Sequence, residues 1–424
     1  MTNRPRTARR RVAVVGAGVA GLTASWALHR ATDVTLYEAA DRLGGHADTH
    51  DVTGPSGTTV AVDTGFIVHN RRTYPTLLRL FDELGVETQE SDMSMSVHCE
   101  GCGLEYAGAQ GLPGLFAQGP RSLRPRYLRM LLEIRRFHRQ ARALLATGGD
   151  DISLGEFLRR GGYSAYFAAH FLVPVVAAVW STAPARAREY PARYLFSFLD
   201  NHGMLAVTGS PTWRTVTGGS RSYVQRAAKE LAVVRTAAPV SAIRRSVDHV
   251  EVTAAGATEP FDAVVVAVHP HQALAMLADP TALESELLGA MPYTRNATVL
   301  HDDTAVLPSS RGAAASWNVR IAGCAADEDA VLVSYDMNRL QRLQTSDRYV
   351  VSLNAGGRVA ADRVLARMDY EHPLYTTASV AAQRRLPQIS TGRTAYAGAY
   401  HGWGFHEDGA LSGVRAAAAL GVAW

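Results

Sequence analysis

Hydrophobic positions along this chain alternate between strand-like runs and helical stripes. Val12 to Val15 are apolar and β-branched apart from Ala13, as in a buried parallel strand, and Val34 to Tyr37 repeat the pattern. Between them Ala20 to His29 reads as a helix. Further on, Val60 to Asp63 predicts a short strand, and Tyr74 to Leu84 a helix with a stripe of Leu77, Leu78, Leu80, Phe81 and Leu84 that stops at Gly85. Arg121 to Thr147 predicts a long amphipathic helix, with Leu128, Leu131, Leu132, Ile134 and Leu145 set among eight arginines. Helical patterns continue through Ser153 to Arg160 and Ala165 to Trp180. A helix is expected from Ser220 to about Ala232, then strands over Val233 to Ile243, Val250 to Thr253 and Ala263 to Val268. Pro292 to Gln344 reads as alternating strands, and Ala395 to Gly398 as a strand before a last helix starting at Gly409.

Gly16, Gly18 and Gly21 fill the first strand-to-helix turn as G-x-G-x-x-G. Gly16 permits the sharp turn, Gly18 lets backbone N–H groups approach a pyrophosphate, and Gly21 lets helix and strand pack closely. The helix N-terminus would face the phosphates with its positive dipole end. Glu38 ends the second strand seventeen residues past Gly21, where an acid can accept hydrogen bonds from a ribose. Together these features predict dinucleotide binding.

Length then sets the domain count. A chain of 424 residues exceeds the roughly 250 to 300 residues one core can serve, so at least two domains are expected. Its 47% hydrophobic and 19% charged composition is ordinary for a globular protein. A net charge of +4 is too mild to indicate a nucleic-acid partner, and no module that reads nucleic acid is present. Thr2 to Arg11 is basic and precedes an apolar stretch, but the glycine turn lies inside that stretch, so a cleaved signal is not expected. No run of 18 to 20 apolar residues suggests a membrane span. Cys99, Cys102 and Cys324 are too few for a disulfide framework, which fits a reducing cytoplasm, with peripheral membrane contact left open. Cys99 and Cys102 form C-x-x-C beside His98, but no second ligand pair follows. The segment reads as a hairpin turn, and no metal is expected.

Asp41-Arg42-Leu43-Gly44-Gly45-His46 resembles the R-x-G-G segment after the ribose acid in flavoproteins of the amine oxidase and phytoene desaturase superfamily. That resemblance implies FAD rather than NAD, with Arg42, Gly44 and Gly45 wrapping its pyrophosphate. Asp63, Thr64, Gly65 and Phe66 match the superfamily's D-x-G turn beside the flavin, and Val240 its adenine-contacting valine. Ala397-Gly398 with Gly409-Ala410-Leu411-Ser412-Gly413 resembles the closing A-G-x … G-A-x-S-G motif. There Gly398, Ala410 and Ser412 would border the flavin and the helix end would stabilise its anionic reduced form. The usual acid after A-G is Ala399 here, so Asp408 or Glu407 would have to replace it. Classical members also set a lysine at the flavin N5. The single lysine, Lys229, falls in a predicted helix, which counts against simple amine oxidation.

Val179-Trp180-Ser181-Thr182, Asn201-His202-Gly203, Ser334 to Gln341 and Gly402 to Gly409 make the likeness narrower. They resemble a bacterial group of FAD-dependent oxidoreductases often encoded beside cyclopropane fatty acid synthase-like methyltransferases. A similar domain is fused to plant cyclopropane synthases. The resemblance implies an α/β fold with an α+β substrate domain. A discontinuous Rossmann-type FAD-binding domain (10–72, 214–284 and 386–424) would carry an inserted substrate domain, mostly helical over 73–213 and sheet over 285–385. It also implies redox or isomerisation chemistry on a lipid-like substrate, and a methyltransferase is a candidate partner. His406 and His202 are the expected proton-handling residues, with His401 behind them, since histidine titrates near neutrality. Tyr335 and Trp180 are expected on the cavity wall. The reaction is either desaturation of a long apolar chain or movement of its double bond, and a non-catalytic flavoprotein role stays open. The basic helix at 121–147 is a candidate contact for an anionic membrane or an acyl carrier. Arg71 and Arg72 read as solvated loop residues.

Overall fold

Strand Arg11–Val15 sits at the centre of a five-stranded parallel sheet, and Val12 to Val15 are buried because both faces of that sheet are covered. The computed structural model describes residues 9–108, 110–149, 151–181, 184–206, 209–325 and 331–424. Arg11–Val15 pairs with Asp33–Tyr37 on one side and Ala263–Val266 on the other, and Val233–Arg235 and Thr394–Tyr396 add the edges. The chain builds outward first on one side of Arg11–Val15 and then on the other. This makes a topological switch point beside that strand, where a crevice opens at the carboxyl ends.

Helix Val19–Leu28 follows Gly18 directly, and every one of its residues is buried. The last helix, His406–Ala419, lies against it. Their backbones come close because Gly409 and Gly413 have no side chains: a Cβ on Gly413 would stand 2.4 Å from the Ala20 carbonyl oxygen, and one on Gly409 2.6 Å from Val19 Cγ1. This helix starts at His406, ahead of the expected Gly409, because the Asp408 carboxylate accepts from Phe405 N at 2.9 Å and caps the earlier turn.

A second sheet has seven strands in the order Val364–Pro373, Tyr293–His301, Val350–Leu353, Val331–Asp336, Trp317–Ile321, Met95–Cys99 and Leu104–Ala107. Its last two strands come from the 73–213 segment, and Met95–Cys99 joins through a parallel pairing with Trp317–Ile321. The sheet thus reaches beyond the 285–385 stretch read from sequence, because burial along Met95–Cys99 does not alternate strictly. The expected strand Val233 to Ile243 is two strands. Val233–Arg235 belongs to the parallel sheet, whereas Val240–Arg245 joins Val250–Ala254 and Ala257–Phe261 in an antiparallel one. Ala237, at φ 50°, and Pro239 interrupt the run between them.

The helical layer contains Pro125–Ala146, Leu154–Gly161 and Ala192–Asn201, with a run from Ala165 to Trp180 whose middle, Ala168–Leu172, is π-helical. The long helix begins at Pro125 rather than Arg121, since proline is accommodated in a first turn. Helix Arg221–Lys229 ends short of Ala232. No helix among the described residues is long and apolar enough to cross a membrane.

Candidate functional site

The crevice at the switch point opens into a single cavity of about 1170 Å³ that continues between the seven-stranded sheet and the helices. One end is built from backbone. Gly16 adopts φ 99°, and a Cβ there would meet the Ala267 oxygen at 2.6 Å, so only glycine fits the turn. Gly18 has nothing within 4 Å of a would-be Cβ, which leaves open space before the first turn of Val19–Leu28. Gly44 pairs with Gly18 in a bridge, and a Cβ on Gly45 would approach the Gly18 Cα at 3.2 Å. The two glycine segments therefore lie face to face. Glu38 braces them, accepting from Ala17 N at 2.8 Å and Ala40 N at 2.9 Å, and its carboxylate keeps lone pairs for a further donor.

A hydrogen-bonded chain stiffens the adjoining wall. Thr64 Oγ1 donates to Tyr370 Oη at 2.7 Å, Tyr370 donates to Asp48 at 2.8 Å, and Asp48 meets Arg42 at 2.9 Å. Burial alone would raise the Asp48 carboxyl, but hydrogen bonds from His50 and Tyr370 and the Arg42 charge hold it below its usual value. Thr64, Gly65, Arg42, Tyr370, Val240 and Gly398 all line the cavity, together with Gly16, Gly18, Glu38 and Gly45.

Six of the sequence-predicted cofactor residues stand behind that wall. Gly21 packs against the turn, where a Cβ would fall 1.8 Å from the Gly16 oxygen, and Gly44 donates to the Ala17 carbonyl at 2.9 Å. Asp63 is fully buried and accepts from Thr49 Oγ1, Ser220 N and Oγ, and Gln341 Nε2, while burial pushes its carboxyl up to about 6. Ser412 accepts from Gly398 N at 2.8 Å and fixes that glycine, and Ala410 is buried in the helix. Asp408 caps its own helix, and burial raises it to about 7. Glu407 accepts from Thr76 N and Leu77 N at 3.0 and 2.9 Å and so caps the neighbouring helix Pro75–Leu84. Neither acid lines the cavity in place of the one missing after Gly398.

The other end of the cavity is apolar. Met93, Met95, Trp180, Phe198, Trp213 and Phe405 line it, with Trp317 and Tyr335 on the sheet side packed edge to face at 5.3 Å. His406 and His202 both reach the wall, and His401 does not. His406 stacks on Phe66 at 3.7 Å with Nε2 3.2 Å from Tyr223 Oη, and burial lowers its pKa to about 3. His202 donates through Nδ1 to the Phe198 carbonyl at 3.0 Å, and burial lowers it to about 4. Both imidazoles are neutral at physiological pH. Tyr335 is buried, with its hydroxyl 3.5 Å from the Ala178 oxygen. Lys229 is exposed at the end of its helix and away from the cavity. Arg72 is exposed, as expected, and also donates to the Asn201 carbonyl at 2.8 Å, tying its loop to the end of helix Ala192–Asn201.

Sequence reasoning passed over a second polar group. His46, His269, His372, Tyr370 and Tyr293 gather on the cavity wall, and Glu371 receives His269 Nδ1 at 2.8 Å. His46 Nε2 is buried and has no hydrogen-bond partner among the described residues. The signal was the Asp369-Tyr370-Glu371-His372 run at the end of Val364–Pro373, all four of which line the cavity.

These features fit a flavin nucleotide: open glycine backbone at a helix N-terminus, an acid at the ribose position, and a buried imidazole nitrogen with unused hydrogen-bonding capacity. Comparison with known proteins agrees. A family model described as flavin containing amine oxidoreductase matches residues 19–306. No curated protein matches the chain. Among solved structures the chain is similar to putrescine oxidase bound to putrescine, at 17% identity and TM-score 0.69 over 97% of this chain and 99% of that one. It is similar to cyclohexylamine oxidase from Brevibacterium oxydans IH-35A, at 17% identity and TM-score 0.70 over 97% and 98%. A third is a CLA-producing fatty acid isomerase from P. acnes, at 17% identity and TM-score 0.68 over 95% and 97%. The chain belongs to the flavin containing amine oxidoreductase family, and it is an oxidoreductase with FAD as its cofactor.

Proposed function

We propose that this oxidoreductase dehydrogenates a long apolar substrate of fatty-acyl or lipid-like kind. The observation that carries the reading is the aromatic and methionine lining of the inner cavity. Acidic residues on the described wall are Glu38, Asp369 and Glu371. Glu38 holds the glycine turn, Asp369 is exposed, and Glu371 is engaged by His269, His271 and Arg295. A buried ammonium would thus lack a carboxylate to offset its desolvation, whereas an alkyl chain gains about 25 cal/mol per Å² of surface it buries.

Bound FAD supplies a hydride acceptor and an outlet for electrons. The residues around it would hold and orient it: Gly16, Gly18 and Gly45 through backbone, and Glu38, Arg42 and Thr64 through side chains. Gly21, Gly44, Asp63, Asp408, Ala410 and Ser412 support these from behind. Trp180, Phe198, Trp317 and Tyr335 exclude water and align the substrate. A second reading, double-bond isomerisation, draws support from the two histidines. With pKa values near 3 and 4 they are weak bases at neutral pH, suited to positioning rather than to taking a proton. Returning a hydride to another carbon needs no net proton release, and a fatty acid isomerase shares the fold.

Anaerobic mixing of the flavoprotein with unsaturated fatty acids, phospholipid vesicles and amines tests both readings. Flavin bleaching by a lipid, with a product two hydrogens lighter, is expected. Unchanged mass with a moved double bond would select the isomerase, and bleaching by amines alone would overturn the apolar-substrate reading.

A further inference from the structure

Outside the cavity, four side chains meet that the sequence leaves apart. Cys99 ends strand Met95–Cys99, Cys102 follows in the turn to Leu104–Ala107, Cys324 lies just past Trp317–Ile321, and His170 sits in the π-helical turn Ala168–Leu172. Their Sγ and imidazole nitrogen atoms all lie within 4.8 Å of one another. Cys99 and Cys324 are 225 residues apart, yet their sulfurs are 3.8 Å apart, and Cys102 Sγ is 3.5 Å from His170 Nε2. Zinc bonds of about 2.3 Å to sulfur and about 2.0 to 2.1 Å to nitrogen place tetrahedral ligands about 3.8 Å apart for a sulfur pair and about 3.6 Å for sulfur and nitrogen. Both observed separations match.

We infer that Cys99, Cys102, Cys324 and His170 form a structural zinc site. Three features of the surroundings suit them to it. His170 Nδ1 donates to the Tyr166 carbonyl at 3.0 Å, which puts the proton on that nitrogen and presents the Nε2 lone pair to the thiols. The Tyr166 ring stacks on the imidazole at 3.8 Å and fixes its plane, with its hydroxyl 3.9 Å from Cys102 Sγ. The Cys-x-x-Cys turn closes through Gly103 N to the Cys99 carbonyl at 2.8 Å, and Gly101 lets the Cys324 loop approach, since a Cβ there would meet Gly323 Cα at 3.0 Å. Three thiolates and one imidazole select a soft divalent ion, and a full set of four protein ligands closes the site to substrate. Binding converts the three thiols to thiolates and releases their protons to the buffer. The π-turn that inserts His170 thereby gains a purpose, as such turns gather at functional positions.

The ion would join the sheet edge to the helix that ends at Trp180 on the cavity wall. None of its four ligands lines that cavity, so the inference is independent of the substrate assignment. The test uses the full chain with FAD, purified reduced and without a metal-binding tag, equilibrated with zinc chloride and desalted. Emission spectrometry is expected to find one zinc per chain, and a thiol reagent to find all three cysteines protected until a chelator is added. Cys324 is exposed, so Cys324→Ser should keep its flavin spectrum and fold while binding zinc at least about tenfold more weakly. Absence of retained zinc with three reactive thiols overturns the site. So does equal retention by Cys324→Ser, or a zinc-free protein with Cys99 and Cys324 joined as a disulfide.

Discussion

Gly18 and Gly21 are three residues apart, yet they answer to different demands. A Cβ on Gly18 meets nothing, whereas one on Gly21 strikes the Gly16 carbonyl. Gly18→Ala is therefore expected to leave the melting temperature of the FAD-free protein unchanged while weakening FAD at least about tenfold, or about 1.4 kcal/mol. Gly21→Ala should instead overpack the turn and cost about 1 to 3 kcal/mol of stability. Flavin fluorescence titration and thermal melts separate the two, and wild-type affinity in Gly18→Ala would remove the pyrophosphate from this turn. Such glycines were legible in the sequence because their constraint is local: strand, turn and helix adjoin. The acids were not. Glu407 and Asp408 carry suggestive chemistry in a suggestive motif, yet both carboxylates cap helices, and one of those helices begins more than three hundred residues earlier. His269 and His372 were missed for the same reason, since a helix N-cap and a strand from distant segments bring them together.

Among the elements, Pro125–Ala146 is the one whose sequence pattern says most about its surroundings. Tyr127, Met130, Glu133, Phe137 and Ala141 face inward, whereas of the leucine and isoleucine stripe expected from sequence Leu128 and Leu132 are exposed and Leu131, Ile134 and Leu145 only half-buried. Leu128, Leu132, Arg135, Arg139 and Arg142 recur at helical spacing on the opposite face, all of them exposed. Leu132 is 67% exposed on this face, an apolar residue among cations that suits an anionic lipid surface better than plain water. Flotation with vesicles containing anionic lipid is expected to carry the protein up at low salt and to release it at high salt. Leu132→Glu with Arg135→Glu should abolish flotation without altering the flavin spectrum. Salt-independent flotation, or flotation with neutral vesicles alone, would count against this surface. Periodicity gave the helix but not its buried face, which an aromatic pair, a methionine, an alanine and a glutamate supply in place of the leucines. It did not give Met95–Cys99, whose two-sided burial hides any alternation, nor the π-turn at Ala168–Leu172, which depends on packing rather than on propensity.

Across the whole molecule, buried titratable groups set an acid limit. His69, His202 and His301 are lowered to about 4 and His406 to about 3, chiefly by burial. Between about pH 6.5 and pH 4 the unfolded chain binds protons that the folded one refuses, so stability falls as pH falls, by up to about 1.4 kcal/mol per pH unit for each histidine. Asp63 and Asp408 work in the other direction: raised to about 6 and about 7, they take up protons in the folded state first and gain stability on acidification. Histidines outnumber the acids, so the urea midpoint of the FAD-free protein is expected to drop between pH 7 and pH 5. A rise over that interval would mean these imidazoles are not held neutral.

The parallel sheet has one more consequence, and it concerns the order in which the chain leaves the ribosome. Its central strand and glycine turn emerge well before the edge strand Thr394–Tyr396 and the helix that packs on Val19–Leu28. At about 5 to 20 residues per second, the nascent nucleotide crevice stays open on one side for roughly 20 to 70 seconds. Cofactor capture is thus a late event in biogenesis, and a chain stalled before residue 394 would carry the fingerprint without holding the flavin.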